Sequence, residues 1–368
     1  MVIVVHASLD EAHLNINDRY ITVKTIQKLQ IPSKAQPLTQ WRDELKHDVT
    51  ELNVLFFEKE QLIQANNSFI KKGELIVMGK NFSTLQLFAL LALLNEHGID
   101  SVQLFAPQEV EGVNTIRLSL SALPVSLKPI LESFASNNDL DFALMEQFPD
   151  WSKPGLVLMD MDSTTIQIEC IDEIARLHGV GEQVSAVTAL AMQGKLDFNE
   201  SLRTRVSKLE NMPISILKEV ADNMPLMPGL KALISGLKEA GWKVAIASGG
   251  FNYFAERLKQ DHGFDFTIAN TLEIKGDYLT GKVVGEIVNA EVKARTLNEL
   301  AAKYNLEMSQ TIAIGDGAND LVMMAASAMG IAIHAKPIVQ EQASVSLNNL
   351  NLEGALAILN ASTDPYWC

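Results

Sequence analysis

Residues 156–169 read Leu-Val-Leu-Met-Asp-Met-Asp-Ser-Thr-Thr-Ile-Gln-Ile-Glu. Its apolar run leads directly into two aspartates, Asp160 and Asp162, that are separated by one methionine. In a strand, every second residue points to the same side, so the two carboxylates would lie next to each other and repel. The pattern therefore predicts a buried strand whose carboxyl end faces something cationic.

Four further apolar runs follow this strand, and helical patterns separate them: WKVAIAS, DFTIAN, QTIAIG and GIAIHA. Such nearly continuous apolar strands are typical of a parallel sheet covered on both faces, which predicts a Rossmann-like α/β core. About eighty residues separate the first strand from the second, where a single crossover helix needs far fewer. Helical patterns at 182–192, 198–209 and 214–224 fill this gap. We therefore expect an inserted helical cap at about 168–226, over the strand ends where ligands bind in such sheets.

The N-terminal part of the chain has a different rhythm. Residues 72–148 predict the order strand, helix, strand, strand, helix, strand, which is a two-layer α+β unit of ferredoxin-like layout. This order resembles the ACT domain, a regulatory module that often binds amino acids, and implies an amino-acid effector such as serine; a structural or dimerising role is the alternative. Residues 1–71 carry no chemical motif, and their fold stays unassigned. A proline-containing linker at 148–154 places the α/β domain at 149–368.

Composition excludes several classes of function. The net charge of −15 argues against non-specific binding of nucleic acid and against an anionic membrane surface. Two cysteines, Cys170 and Cys368, imply neither a disulfide framework nor a zinc site. The chain start lacks a basic region before its apolar run, and the apolar stretch 85–94 is too short for a membrane span. We therefore expect a cytoplasmic protein without nucleic-acid or membrane partners.

Polar groups follow three of the predicted parallel strands. Asp160, Asp162 and the later Asp316 offer hard oxygen ligands that suit Mg²⁺ together with a substrate phosphate. Ser248 and Gly249 stand at the start of a helix, where a hydroxyl and unhindered N–H groups suit a phosphate. Each feature also has a plainer interpretation: an isolated pair of aspartates is usually a solvated strand end, and Ser248 alone reads as an N-cap.

The combination of motifs is more specific than its parts. DMDST, SGG, a downstream lysine and GDGAND resemble, in this order, the motifs of the haloacid-dehalogenase-like hydrolases. Within them, IECIDEIARLHGVGEQV, AMQGKLDFNESLRTRV and IGDGANDLVMM resemble the phosphoserine phosphatase family, over about residues 155–350. The resemblance implies an Mg²⁺-dependent enzyme that hydrolyses O-phospho-L-serine in the last step of serine biosynthesis.

The same resemblance implies a role for each matching residue. Asp160 would be the nucleophile that forms an aspartyl-phosphate, and Asp162 the general acid and base. Asp160 and Asp316, with the backbone carbonyl of Asp162, would hold the metal. Substrate binding would fall to eight residues, and Asp320 would orient them and the metal shell; the eight are Glu169, Met192, Phe198, Arg205, Ser248, Gly249, Lys293 and Asn319. Among these, Glu169 would receive the substrate ammonium and Arg205 its carboxylate.

Several alternatives stay open at the level of sequence. Judged by pattern alone, Lys293 is a surface lysine, Asp320 a helix N-terminal charge and Arg205 one of several exposed arginines. The substrate could be another small phosphomonoester, or the phosphoryl group could pass to an acceptor other than water. The chain could also be an amino-acid sensor with a silent hydrolase domain, although the complete set of motif residues argues against silence.

Overall fold

The computed structural model describes residues 34–45, 70–192 and 195–363, with the backbone of five short strands that precede residue 70. These strands are β1 (Ala12–Ile16), β2 (Arg19–Val23), β3 (Gln27–Lys28), β4 (Leu55–Glu58) and β5 (Gln61–Gln64). The side chain of Met192 lies outside the described part, so its expected place in the pocket stays a prediction. The chain forms two compact units: Met1–Trp151 with Leu347–Cys368, and Ser152–Ser346.

The first unit contains the ferredoxin-like layout that the sequence predicts. Its elements are α1 (Leu38–Leu45), β6 (Gly73–Gly79), α2 (Thr84–Glu96), β7 (Ser101–Leu104), β8 (Gln108–Val110), β9 (Val113–Leu120), α3 (Leu127–Asn137) and β10 (Asp141–Met145). The strands run in the order β10, β6, β9, β7, and each neighbouring pair is antiparallel. Strand β8, which pairs with β9, was not expected. Leucines of α2 and α3 form one core with β6, β7 and β9.

The C-terminal segment completes this first unit. Helix α13 (Leu352–Ala361) packs against β6, β8 and β9, and it is buried on almost every side. Asp141 fixes the residues that precede this helix. Its carboxylate accepts hydrogen bonds from the backbone N–H groups of Asn348 (2.9 Å), Asn349 (3.1 Å) and Leu350 (2.8 Å). The contacts thus group the last residues with the first unit, whereas the sequence analysis assigned 149–368 to one domain.

The second unit is built on a mixed sheet that is mainly parallel. Its strands are β11 (Leu156–Met159), β12 (Lys243–Phe251), β13 (Phe266–Lys275), β14 (Tyr278–Val284), β15 (Thr311–Gly315) and β16 (Met329–Ile333), followed by β17 (Val345–Leu347) at the unit boundary. The order is β14, β13, β12, β11, β15, β16, and only the β13–β14 pair among these is antiparallel. Strand β11 lies between β12 on one side and β15 on the other, so the order in which the strands are added changes direction there. The predicted Rossmann-like core is confirmed. In such sheets, ligands bind beside the carboxyl ends of the strands at this point.

Helices of the second unit fall into two groups. The sheet is flanked by α8 (Leu230–Glu239), α9 (Asn252–His262), α10 (Ala290–Lys303), α11 (Leu321–Ala326) and α12 (Pro337–Gln342), with 3-10 turns at Met308–Gln310 and Ala318–Asp320. The cap consists of α4 (Cys170–Leu177), α5 (Gly181–Met192), α6 (Phe198–Ser207) and α7 (Ser215–Asp222). Within the described part of the chain, no helix is both long enough and apolar enough to cross a bilayer.

Two local features fix the cap helix α6. It begins with a capping box, in which the Asp197 carboxylate accepts Glu200 N–H at 2.8 Å while Glu200 accepts Asp197 N–H at 3.2 Å. Beyond its C-terminus, Met212 O accepts the N–H of Leu279 (2.8 Å), and Ile214 donates its N–H to the carbonyl of Asp277 (2.9 Å). The cap is therefore tied to the β13–β14 hairpin, which the sequence analysis did not anticipate.

Candidate active site

Asp160 stands at the end of β11, where the strand stops and the chain turns. Its N–H still donates to Ile314 O at 2.9 Å, which prolongs the sheet by one bond. The Thr165 hydroxyl donates to Asp160 O at 2.6 Å, and Met161 N–H donates to Asp160 Oδ1 at 2.6 Å. The backbone and the carboxylate are thus both held, and the residue is only 5% exposed. A carboxylate this constrained is suited to attack in one direction.

Lys293 lies beside Asp160 and has no contact with solvent. It comes from the first turns of α10, which is capped by Asn289 Oδ1 accepting Val292 N–H at 3.1 Å. Lys293 Nζ is 2.7 Å from Asp160 Oδ2 and 2.7 Å from Asp320 Oδ1. Burial alone would lower the pKa of this lysine, but the two carboxylates raise it above its ordinary value. Lys293 is therefore a buried, charged residue. The interpretation as a surface lysine, which the pattern alone favoured, is wrong.

Three carboxylates converge on one point at this edge of the sheet. One oxygen from each of Asp160, Asp316 and Asp320 lies within 4.8 Å of the others. Burial, followed by the charges of Asp160 and Asp320, raises the pKa of Asp316 to about 7. Burial and Asp160 raise the pKa of Asp320 to about 7, against the lowering effect of Lys293. One ammonium cannot neutralise three carboxylates, so the donor set fits an added hard divalent cation.

Asp320 uses both of its oxygens inside the protein. Its Oδ1 contacts Lys293, and its Oδ2 accepts Gly317 N–H at 3.0 Å. Asp316 accepts a hydrogen bond from the Thr164 hydroxyl at 3.2 Å. These contacts suit Asp320 to the orienting role that the sequence analysis gave it, although its oxygen also belongs to the acidic cluster.

Asp162 has the electrostatics of a proton donor. Its pKa is raised well above the ordinary value, first by burial and then by the negative charges of Glu169 and Asp160. A Cβ placed on Gly250 would lie 3.1 Å from Asp162 Oδ2, so the carboxyl borders Ser248–Gly250, called the glycine loop below. This loop lies within the last residues of β12, whereas the sequence predicted it at the start of the following helix, which begins at Asn252. A carboxyl with a raised pKa beside a second carboxylate is an arrangement suited to acid–base catalysis.

The glycine loop is held from both sides. Ser248 is almost fully buried, and its hydroxyl accepts Gly250 N–H at 3.0 Å. Asn270 donates its amide to Gly249 O at 2.8 Å, while its own Oδ1 accepts Val288 N–H at 3.0 Å. Asn270 could not be predicted as a site residue, because an asparagine within a strand pattern carries no signal of its role.

Cap residues close over this loop. A Cβ on Gly249 would lie 2.7 Å from the Phe198 ring, so the ring packs directly on the glycine. Arg205, two turns further along α6, is half-buried, and its Nε has no hydrogen-bond partner among the described residues. Burial raises the pKa of Glu169, while the hydroxyl of Ser163 and the charge of Arg205 lower it. The charges of Glu169 and Arg205 are thus close enough to influence each other.

Asn319 is the last of the expected site residues. Asn319 lies against Gly317, where an added Cβ would be 2.2 Å from Asn319 Oδ1. Thr164 and Thr165, which donate hydrogen bonds to Asp316 and to the Asp160 carbonyl, were not among the predicted site residues. Both threonines directly follow the aspartate pair, and buried hydroxyls at a strand end must find partners. Their position was therefore a usable signal.

Several known proteins are similar to this chain. A haloacid dehalogenase-like hydrolase model matches residues 154–328. A phosphoserine phosphatase of Vibrio cholerae is 54% identical over 224 residues, which cover 61% of this chain and 68% of that protein. The structure of an unliganded probable phosphoserine phosphatase from Vibrio cholerae aligns with a TM-score of 0.68 and 45% identity, covering 78% of this chain and 87% of that one.

A further structure bears on the chemistry. The phospho-aspartyl intermediate analogue of a phosphoserine phosphatase aligns with a TM-score of 0.53 and 39% identity, covering 56% of this chain and 99% of that one. These relatives and the geometry at the end of β11 agree with the motif order read from the sequence. The chain belongs to the phosphoserine phosphatase family of the haloacid dehalogenase-like hydrolases.

Proposed function

We propose that this protein hydrolyses O-phospho-L-serine to L-serine and phosphate, as the last step of serine biosynthesis in the cytoplasm. One observation carries the proposal: the Asp160 carboxylate is fixed 2.7 Å from the buried Lys293 ammonium, while burial and neighbouring negative charges raise the pKa of Asp162, two residues away, well above its ordinary value. This pairing places a nucleophilic carboxylate and a proton donor at the same sheet edge.

In the first step, Asp160 attacks phosphorus and the bond from phosphorus to the serine oxygen breaks. Asp162 gives its proton to that leaving oxygen. Asp160, Asp316 and the backbone carbonyl of Asp162 would hold Mg²⁺, which when bound neutralises charge on the phosphoryl oxygens. Lys293 keeps the Asp160 carboxylate in place and adds a fixed positive charge. The product of this step is an aspartyl-phosphate on Asp160 and free serine.

In the second step, water attacks the phosphorus of the aspartyl-phosphate. Asp162, now ionised, takes a proton from this water, and the bond from phosphorus to Asp160 breaks. Ser248 and the N–H groups of the glycine loop hold the phosphoryl oxygens during both steps, supported by the Asn270 contact with Gly249. Asp160 and Asp162 end in their starting protonation states.

The cap would supply specificity. Arg205 offers a guanidinium whose Nε lacks a partner among the described residues, and a bidentate carboxylate suits such a group. Glu169 would receive the ammonium. Phe198, which packs on Gly249, would line the apolar side of the pocket together with Met192.

Phosphate release from O-phospho-L-serine, with and without Mg²⁺, tests the proposal. Release that needs Mg²⁺ supports it, and no release would favour a sensor with a silent hydrolase. A panel of small phosphomonoesters ranked by kcat/KM tests the substrate, and a better substrate in that panel would replace phosphoserine. Phosphorylated acceptors, formed when alcohols are added, would indicate a phosphotransferase.

The regulatory role of the first unit stays a prediction. The ferredoxin-like strand order supports an ACT-like interpretation with an amino-acid effector such as L-serine. Calorimetry should use the full chain, because residues 347–363 pack within the first unit. No heat from L-serine or related amino acids, together with a dimer in sedimentation, would favour a dimerising role instead.

A further inference from the structure

Ser163 has an unusual backbone for its residue type. It follows Asp162 directly and has φ of +54°, in the left-handed region that favours glycine. Its N–H donates to Ile168 O at 3.3 Å, which closes the turn between the strand end and α4. Residues held in this region without being glycine often mark a functional constraint.

The hydroxyl of Ser163 reaches the first residue of the cap. Ser163 Oγ donates to Glu169 Oε1 at 2.8 Å. Glu169 is the N-cap residue of α4, but its side chain makes no capping hydrogen bond to that helix. Glu169 is exposed as a residue, and its carboxyl, although desolvated enough to have a raised pKa, accepts no hydrogen bond from described side chains other than Ser163. The contact with Ser163 is therefore what holds one of its oxygens in place.

We propose that Ser163 is a positioning residue for substrate specificity, which orients the Glu169 carboxylate towards the ammonium group of the substrate. The left-handed backbone aims the hydroxyl at Glu169 Oε1, and Oε2 remains available as an acceptor. A carboxylate has enough lone pairs to accept the hydroxyl and an ammonium at once. Pre-orientation reduces the entropy lost when the ammonium binds. The inference rests on the proposed function, in which Glu169 receives the ammonium.

Two variants separate the hydroxyl from the backbone. Ser163→Ala removes the hydroxyl and keeps a side chain in the left-handed region, whereas Ser163→Gly removes the hydroxyl and the backbone strain together. Both are assayed on O-phospho-L-serine and on its deamino analogue, 3-phosphooxypropanoate. The readout is the ratio of the two kcat/KM values. We expect this ratio to fall about 5- to 20-fold in both variants, mainly through a higher KM for phosphoserine.

A double-mutant cycle with Glu169→Gln provides the second readout. In the Glu169→Gln background, Ser163→Ala should change the ratio no further, because both changes act through one ammonium site. Equal losses on both substrates would overturn the proposal, since Ser163 would then act through the neighbouring Asp162. Full additivity in the cycle, or an effect in Ser163→Ala that is absent from Ser163→Gly, would overturn it as well.

The proposed function has its own point of failure in the same experiment. If Glu169→Gln alone leaves the ratio unchanged, Glu169 does not receive the ammonium, and the specificity part of the proposed function falls together with this inference. If Glu169→Gln lowers the ratio and the Ser163 variants do not, the function stands and the positioning role is wrong. Thermal unfolding of each variant verifies that it is folded before the kinetics are compared.

Discussion

The ammonium of Lys293 lies 2.7 Å from Asp160 Oδ2, and the lysine side chain is completely buried. A second carboxylate, Asp320, binds the same ammonium at 2.7 Å. Because the lysine is fully buried between them, it fixes both carboxylates and compensates part of their charge. The reactive edge of the sheet is thus an electrostatic unit, whose members cannot be changed one at a time without effects on the others.

Replacing Lys293 by methionine should harm activity and stability together. The kcat should fall by about 10²- to 10⁴-fold, because the fixed charge beside the phosphoryl group is lost. Removing one partner of a buried pair costs about 3–5 kcal/mol, since Asp160 and Asp320 are left to repel. Lys303→Met, an exposed lysine near the end of the same helix, is the matched control.

The stability loss in Lys293→Met should depend on pH. Burial already raises the pKa of Asp320 to about 7, and loss of the ammonium raises it further. A carboxyl with a raised folded-state pKa favours the folded protein at low pH, and this contribution is lost as pH rises through that pKa. Urea unfolding should therefore show a larger deficit at pH 8 than at pH 6. An equal deficit at both values would contradict this account of the cluster.

Asp160→Asn should abolish turnover while the fold is retained. The substitution is nearly isosteric, but an amide is no nucleophile towards phosphorus. Quenched wild-type enzyme should carry the phosphoryl adduct on Asp160 in mass spectrometry, and the variant should carry none. A labelled adduct on another residue would overturn the assignment.

Activity should require a divalent cation, and cation affinity should fall below about pH 7. The pKa of Asp316 without metal is about 7, and cation binding favours the ionised form, so protons must be released in acidic buffer. Calorimetry in buffers of different ionisation enthalpy measures this release. Chelator should remove activity, Mg²⁺ should restore it, and Ca²⁺ should restore little, because its larger shell disturbs the attack geometry. Full activity in excess chelator would contradict the proposed need for a metal ion.

Arg205→Ala should damage phosphoserine hydrolysis far more than hydrolysis of p-nitrophenyl phosphate. The lost charge-assisted contact costs about 2–4 kcal/mol, or roughly 30- to 1000-fold in kcat/KM for phosphoserine. The aryl substrate lacks the carboxylate, so it should lose little. Arg203→Ala, an exposed arginine on the same helix, controls for effects on the cap. Comparable losses on both substrates would assign Arg205 to the fold or to the chemistry.

Asp141→Ala should loosen the C-terminal segment of the first unit. Three backbone N–H groups, of Asn348, Asn349 and Leu350, lose their acceptor, at a cost of about 2–4 kcal/mol. Hydrogen exchange should show faster exchange at these amides, and Glu132→Ala on the exposed face of α3 should not. Unchanged protection in the Asp141 variant would mean that packing of α13 alone holds the segment.

The sequence by itself determined the sheet core and its reactive edge. Asp160 and Asp316 directly follow apolar strands, and Ser248 lies near the carboxyl end of another. These groups come together because parallel strands share one carboxyl edge. The βαββαβ order and three cap helices could be predicted as well, because the periodicities of their apolar residues are local properties of the chain. The resemblance of the motifs then supplied roles that periodicity cannot supply.

Only the tertiary structure decided the partners of these groups. Nothing local to Lys293 shows that its ammonium is buried between two carboxylates, and nothing local to Asn270 shows that it holds Gly249 O. The closing helix α13 reads as part of the phosphatase domain until its contacts with β6 and β9 are seen. Burial and hydrogen bonding depend on residues that are distant in sequence. Their energies are therefore set when the chain is packed, and the order of residues alone does not contain them.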